Sequence, residues 1–275
     1  MNKNEIFDMA DNAGFSGVKV FSDGKTNTSI FAFAMPYGNE YDNKPPENYN
    51  YGIIAPFARF NYYKEAVIRL KKIASCLRSN YGGKKSDYRI FCNSKINEKH
   101  IAAVCGLGCF GRNNLIITEN SGSLVVLSFL KVPFEIEGDI PDHPAHFKFC
   151  EICADNPACA KVCPTGAISK DGIINRANCI QWYASGNEKE VPENIKKNWG
   201  KCFYGCNICQ DICPHNNKTI KGIKANIGQV ESFLDIKKFL LLSDNEIKSK
   251  FRGTALGMKW LTPEILRRNA YLCLS

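Results

Sequence analysis

No stretch of this sequence is apolar for the roughly 20 residues that a bilayer-spanning helix needs. The most apolar segment, Leu124 to Val132, is far shorter and reads as a buried strand. The first residues do not have the pattern of a secretion signal, because Lys3, Glu5, Asp8 and Asp11 interrupt the apolar positions between Met1 and Phe15. The expected setting is therefore the cytoplasm, with no membrane partner. Histidine is scarce, with four in 275 residues. His100 and His215 stand alone, and His143 and His146, beside a Pro-rich stretch, read as surface residues rather than a metal pair. No phosphate-binding P-loop is present. Gly106 to Gly111 matches a dinucleotide-type glycine pattern, but a helical segment precedes it where a strand is required, so the nucleotide reading is rejected.

Cysteine, by contrast, is abundant. There are fourteen, and nine of them fall between Cys150 and Cys213. In a small secreted chain this would suggest disulfides. In a reducing compartment the same pattern points to metal or redox chemistry. Composition is otherwise that of an ordinary globular chain, with 44% hydrophobic and 23% charged residues. The formal charge is +9. Two thiolate-bound iron–sulfur cubanes would bring it to about +5, once the metal's own charge is counted.

The first 145 residues alternate between helical and strand-like stretches, an α/β pattern. Asn4 to Ala13 predicts a short amphipathic helix, and Val18 to Phe21 and Ser29 to Met35 predict strands. Pro36 to Asn50 reads as a loop. Tyr63 to Arg78 is the clearest helix, with Ala66, Val67, Leu70, Ile73, Ala74 and Leu77 at helical spacing. Tyr88 to Cys92 predicts a strand and Glu98 to Cys105 a helix. Asn114 to Thr118 and Ser123 to Val132 predict a hairpin around Glu119 to Gly122. Glu135 to Pro144 reads as a linker. The division expected is residues 1–145, a cysteine-rich module at 146–217, and a helical C-terminal segment at 218–275 with Phe233 to Leu242 and Pro263 to Cys273 as its main pieces. The fold class is α+β.

The first cysteine run is Cys150-x2-Cys153-x5-Cys159-x3-Cys163-Pro164, and the second is Cys206-x2-Cys209-x3-Cys213-Pro214. A [4Fe–4S] cubane needs one soft anionic ligand per iron, and thiolate supplies it. In two-cluster ferredoxins the cysteine before proline ligates the other cluster. That rule assigns Cys150, Cys153, Cys159 and the crossing Cys213 to one cluster. It assigns Cys163, Cys206 and Cys209 to the other, with Cys179 as the fourth ligand and Cys202 as the rival for that corner. Zinc is the alternative metal, but it needs neither two Cys-Pro endings nor so many clustered thiols.

The context of the second run, Tyr204-Gly205-Cys206-Asn207-Ile208-Cys209-Gln210-Asp211-Ile212-Cys213-Pro214-His215-Asn216, resembles the YGC-x2-CQ-x2-CPxN signature of the epoxyqueuosine reductase family. Pro164 to Ile168 is similar to the same family. Phe57 to Ile73 resembles its Tyr-His-Lys helix, and Gly106 to Leu115 its GLGxxGK-x2-L loop, with Glu98 at the position of a family Glu. The resemblance covers most of residues 29–270.

That resemblance implies a cobalamin-binding-type N-terminal domain, a ferredoxin-like double-cluster module and a short helical tail. It implies a corrinoid that receives single electrons from two [4Fe–4S] clusters and removes the epoxide oxygen from a modified tRNA nucleoside. An electron donor such as a ferredoxin or flavodoxin, and tRNA, would be the partners. The loop carrying Gly106, Gly108, Gly111, Arg112 and Asn113 would lie along the corrin, where glycines permit close backbone approach. The same glycines would also suit a helix-end turn. The family's proton-donating aspartate falls on Cys92, or with a one-residue shift on Asn93. Many family members also carry a helical-repeat domain that helps to hold tRNA, and the sequence to Ser275 is read without one. The alternative is a ferredoxin-type electron carrier with no substrate chemistry of its own.

Overall fold

The structure, a computed structural model, describes residues 3–22, 25–38, 44–47, 50–136, 150–153, 155–217 and 221–275. The expected 135–144 linker lies mostly outside the described residues, as do His143, His146 and part of the 36–50 loop. In chain order the elements are α1 (Lys3–Asn12), β1 (Gly17–Ser22), β2 (Ser29–Pro36), β3 (Tyr51–Ile54), α2 (Tyr62–Tyr81), β4 (Arg89–Phe91), α3 (Glu98–Val104), β5 (Gly108–Phe110), β6 (Ile116–Thr118) and β7 (Val125–Val132). The cysteine-rich part adds α4 (Ala158–Val162), α5 (Ile180–Ala184), α6 (Glu193–Lys196), β8 (Cys202–Tyr204) and α7 (Ile208–Asp211). The tail supplies β9 (Phe233–Asp235), α8 (Ile236–Leu240), α9 (Asp244–Lys250) and α10 (Pro263–Leu272).

The largest sheet has the order β1-β2-β7-β4, and its neighbours all pair antiparallel. Period-two alternation divides its central strands between two cores. Phe31, Phe33 and Met35 of β2, with Val126, Leu130 and Val132 of β7, pack against α1 and α2. Ala32, Ala34 and Phe129 face the opposite way, onto Ala102 and Ala103 of α3. The small residues on that side let α3 lie close to the sheet. Helix α2 is long because its apolar stripe is buried and its first turn is capped: Asn61 Oδ1 accepts from the Lys64 N–H at 3.1 Å.

The predicted hairpin is corrected. Strand β6 pairs with β5, and β7 pairs with β2 and β4. An isolated bridge links Thr118, at the end of the first predicted arm, to Gly122 in the predicted turn. The physical reason is burial. The apolar run of β7 has side chains to bury on both faces, which requires an interior strand between two helical layers.

The smaller sheet has the order β8-β3-β9, with β3 parallel to β8 and antiparallel to β9. It draws one strand from the N-terminal stretch, one from the cysteine-rich stretch and one from the tail. Its core combines Ile54 and Ala58 with Trp199, Phe203, Phe239, Phe251 and Leu266. The tail, expected as helical, therefore also contributes a strand at Phe233–Asp235.

Candidate metal centres and adjoining cleft

Each cysteine of the second set sits where a short helix meets a turn. Cys163 ends α4 in an extended conformation, and its Sγ accepts from the Ala167 N–H at 3.3 Å. Cys179 is the N-cap residue of α5. The Cys206 N–H donates to Gln181 Oε1 at 2.9 Å, which ties the second run to α5. Cys209 lies in α7. Together Cys163, Cys179, Cys206 and Cys209 line one cavity of about 560 Å³. Burial pushes the Cys206 thiol up to about 11, and the Cys179 and Cys163 thiols push the same way. Burial also raises Cys209, with Cys206, Cys179, Cys159 and Cys163 adding to the effect. Thiols crowded in this way favour the neutral form until a cation takes their protons' place.

Cys150, Cys153, Cys159 and Cys213 line a second, narrow pocket. Burial raises Cys159, with the Cys150 and Cys213 thiols adding to the effect, and it raises Cys213, with Cys150 and Cys153 adding to it. Cys163, Cys179, Cys206 and Cys209 thus line one pocket, and Cys150, Cys153, Cys159 and Cys213 line the other. Cys202 lines neither pocket. It is half-buried beside Cys206, Cys273 and Cys179, and desolvation raises it well above the usual thiol range. Among the described residues no three His, Cys, Asp or Glu side chains close on one point as a single ion requires.

The rest of the large cavity is not sulfur. Ile96, Ile116, Val125, Leu127 and Phe57 form apolar wall, and Asn93, Asn97, Asn113 and Gln181 place amides along it. The cysteine module is fastened to the N-terminal sheet beside this cavity by a buried polar knot. Gln210 Nε2 donates to Tyr37 Oη at 2.9 Å and to Ser123 O and Oγ at 3.0 Å. Asn216 Nδ2 donates to Ser123 Oγ and Gln210 O at 2.9 Å, and its Oδ1 accepts from the Ser123 N–H at 2.9 Å. Gln210 and Asn216 were visible in the sequence only as members of a motif, and their role as the fastening was not. Gly205 makes the close approach possible. At φ +97° it lies against Ala55, where an added Cβ would come within 2.3 Å of the Ala55 Cβ.

The glycine loop divides. Gly106, at φ +73°, ends α3, and Gly108 packs its Cα face against the Ile117 carbonyl in the β5–β6 hairpin; neither lines either cysteine pocket. Gly111 and Arg112 line the pocket of the first cysteine set. Asn113 lines both pockets. Of the two residues at the proton-donor position, Cys92 turns into the core, where its Sγ donates to Leu127 O at 3.5 Å and burial pushes it up to about 12. Asn93 lines the large cavity in a left-handed conformation, φ +50°, which asparagine tolerates better than most residues.

A family profile described as a 4Fe-4S double cluster binding domain matches residues 148–216. An epoxyqueuosine reductase of Prochlorococcus marinus is 31% identical over 212 residues, which is 76% of this chain and 65% of that protein. The chain thus spans just under two thirds of that relative's length. Among solved structures, epoxyqueuosine reductase from Streptococcus thermophilus superposes with a TM-score of 0.79 at 22% identity, covering 100% of this chain and 81% of the other. A structure of epoxyqueuosine reductase with an epoxyqueuosine-modified tRNA-Tyr stem loop gives a TM-score of 0.78 at 21% identity, covering 99% of this chain and 80% of the other. The paired cysteine sets, the double-cluster match and these likenesses together make the chain similar to the epoxyqueuosine reductases over most of its length.

Proposed function

We propose that this protein is an iron–sulfur oxidoreductase that removes the epoxide oxygen of a modified nucleoside in tRNA. In this reading Cys163, Cys179, Cys206 and Cys209 hold the [4Fe–4S] cluster next to the reaction, and Cys150, Cys153, Cys159 and Cys213 hold the other. An external one-electron carrier, a ferredoxin or flavodoxin, supplies the electrons. The observation that carries the proposal is the shared cavity: the second cysteine set opens into a cleft built from the N-terminal sheet and α3. A protein that only carries electrons has no need of such a cleft beside its cluster.

The lining fits a corrinoid. One large flat ring with amide arms suits an apolar wall bordered by the side-chain amides of Asn93, Asn97, Asn113 and Gln181. When bound, a corrinoid supplies a strongly reducing metal that can attack carbon and release the epoxide oxygen. The chain's own residues hold it against the cluster, keep the apolar face dry and present polar groups at the rim. Within the cleft-forming N-terminal part, residues 1–145, Asn113 lines both pockets and would be the loop residue between a bound corrinoid and the first cluster.

The test is anaerobic reconstitution with iron, sulfide and cobalamin, followed by incubation of the reduced protein with an epoxyqueuosine-bearing tRNA stem loop. Loss of one oxygen from the nucleoside by mass spectrometry is the expected result. Two intact clusters that are reduced without any binding of cobalamin would instead establish the electron-carrier reading.

A further inference from the structure

Opening an epoxide requires a proton at the departing oxygen, and the family's position for the donor holds no carboxylic acid here. Apart from the cysteines and the weakly acidic hydroxyls of Ser123 and Thr165, which bond to Gln210 and Asn216 and to Cys163 respectively, the cavity's side chains with a proton to give are Tyr37, Tyr63, Glu98 and Lys99. Three of them are engaged. Tyr37 Oη accepts from Gln210 and donates to Ser123 O at 3.4 Å. Glu98 Oε1 accepts from the Ser94 N–H at 2.8 Å and from Ser94 Oγ at 3.0 Å. Lys99 Nζ donates to Asn114 O at 2.9 Å. Tyr63 makes no side-chain hydrogen bond among the described residues. It stands in the first turn of α2, the best-capped helix of the N-terminal part, so its ring is carried on a rigid support.

We infer that Tyr63 is the catalytic acid that protonates the departing oxygen, in place of the family's carboxylic acid. The inference rests on the proposed function above. In the cavity wall Tyr63 stands with Tyr37 after β2, Asn93 after β4 and Glu98 of α3. It therefore shares the cavity with Asn93, one of the two residues at the proton-donor position, from another element of the fold. Burial is the main force raising Tyr63, with Tyr204, Cys92 and Glu98 adding to it, so the phenol holds its proton through neutral pH. An alkoxide oxygen is far more basic than a phenolate, so transfer to it remains downhill. Conversion of an epoxide to an alkene consumes two electrons and two protons and releases water. The electrons arrive singly from the external carrier through the clusters. Tyr63 gives its proton to the oxygen as the first C–O bond breaks. As the second breaks, the oxygen leaves as hydroxide and takes a proton from water. The phenolate regains its proton from solvent at the open side of the cleft.

The experiment compares the parental holoenzyme with Tyr63→Phe in single-turnover reduction of the epoxyqueuosine stem loop. Tyr63→Phe should slow product formation by about a hundredfold or more, while iron content, cobalamin uptake and RNA affinity stay at the parental level. With 3-fluorotyrosine at position 63, the alkaline fall in rate should move to lower pH, because the phenol is more acidic. Its 19F resonance should also shift when the epoxide stem loop binds. Normal parental turnover with an equally fast Tyr63→Phe, or a 19F resonance at position 63 that the epoxide stem loop leaves unmoved, overturns this inference alone. A loss of rate in Cys92→Ser but not in Tyr63→Phe does the same. A fully loaded parental enzyme that never reduces the epoxide overturns the proposed function along with it.

Discussion

Gly205 and Gln210 do as much for the site as the cysteines between them. At φ +97°, with the Ala55 Cβ where its own would fall, Gly205 tolerates no side chain without movement of β3. Gly205→Ala should cost about 1–3 kcal/mol, the usual price of overpacking a tight contact, and denaturant melts would show it. Gln210→Ala strips Tyr37 and Ser123 of their shared partner in a buried setting. It should cost about 1–3 kcal/mol as well, and it should loosen the cysteine module in hydrogen exchange before the β1-β2-β7-β4 sheet. The thiols outside the two sets also differ by residue. Cys76 is exposed, whereas burial pushes Cys92 and Cys105 up to about 12. A thiol raised in the folded state stabilises the fold fully below its unfolded value of about 8.5. That contribution is lost as pH climbs through the folded value. Stability should therefore decline on the alkaline side between about pH 8.5 and pH 12, and Cys92→Ala with Cys105→Ala should flatten that decline. Alkylation at pH 8 should label Cys76 well before either of them.

At the scale of elements, α2 couples the N-terminal sheet to the tail. Leu70, fully buried in its stripe, should cost about 2–5 kcal/mol when replaced by alanine. The cap residue Asn61 has two tasks: Oδ1 caps the helix and Nδ2 donates to Gly253 O at 3.0 Å. Asn61→Ala should therefore exceed the cost of about 1 kcal/mol expected for an N-cap alone, in calorimetry against Asn61→Asp, which keeps the cap but not the donor. Helix periodicity made α2 legible from Ala66 to Leu77, because a single buried stripe repeats at 3.6 residues. Strands β3, β8 and β9 were not legible. Each is three or four residues long, and each gains its meaning from partners about 150 to 180 residues away, which no local pattern encodes.

The whole molecule decides where the two cysteine sets lie relative to everything else. The holo protein should contain about eight irons. Cys209→Ser and Cys179→Ser should each disturb only the cluster at the large cleft. Cys202→Ser should keep the full iron count, since that thiol lines neither pocket. Iron and labile-sulfide analysis with low-temperature spin-resonance spectra of the reduced variants would check all three. Removal of iron with a chelator should relax the segment from Cys150 to Cys213 while the large sheet, which has its own apolar core, stays folded.

Sequence spacing alone pointed to a double-cluster cysteine module, because two Cys-x-x-Cys runs ending in Cys-Pro leave few ways to distribute thiolates over two cubanes. It also determined the principal helix and the strands β1, β2 and β7, whose burial patterns are local. Only the tertiary structure decided that β7 runs through the middle of a sheet, that Gln210 and Asn216 fasten the clusters' module to Tyr37 and Ser123, and that Cys92 faces the core while Asn93 and Tyr63 face the cleft. Those outcomes depend on which distant surfaces bury one another, and burial is a property of the packed chain rather than of any stretch within it.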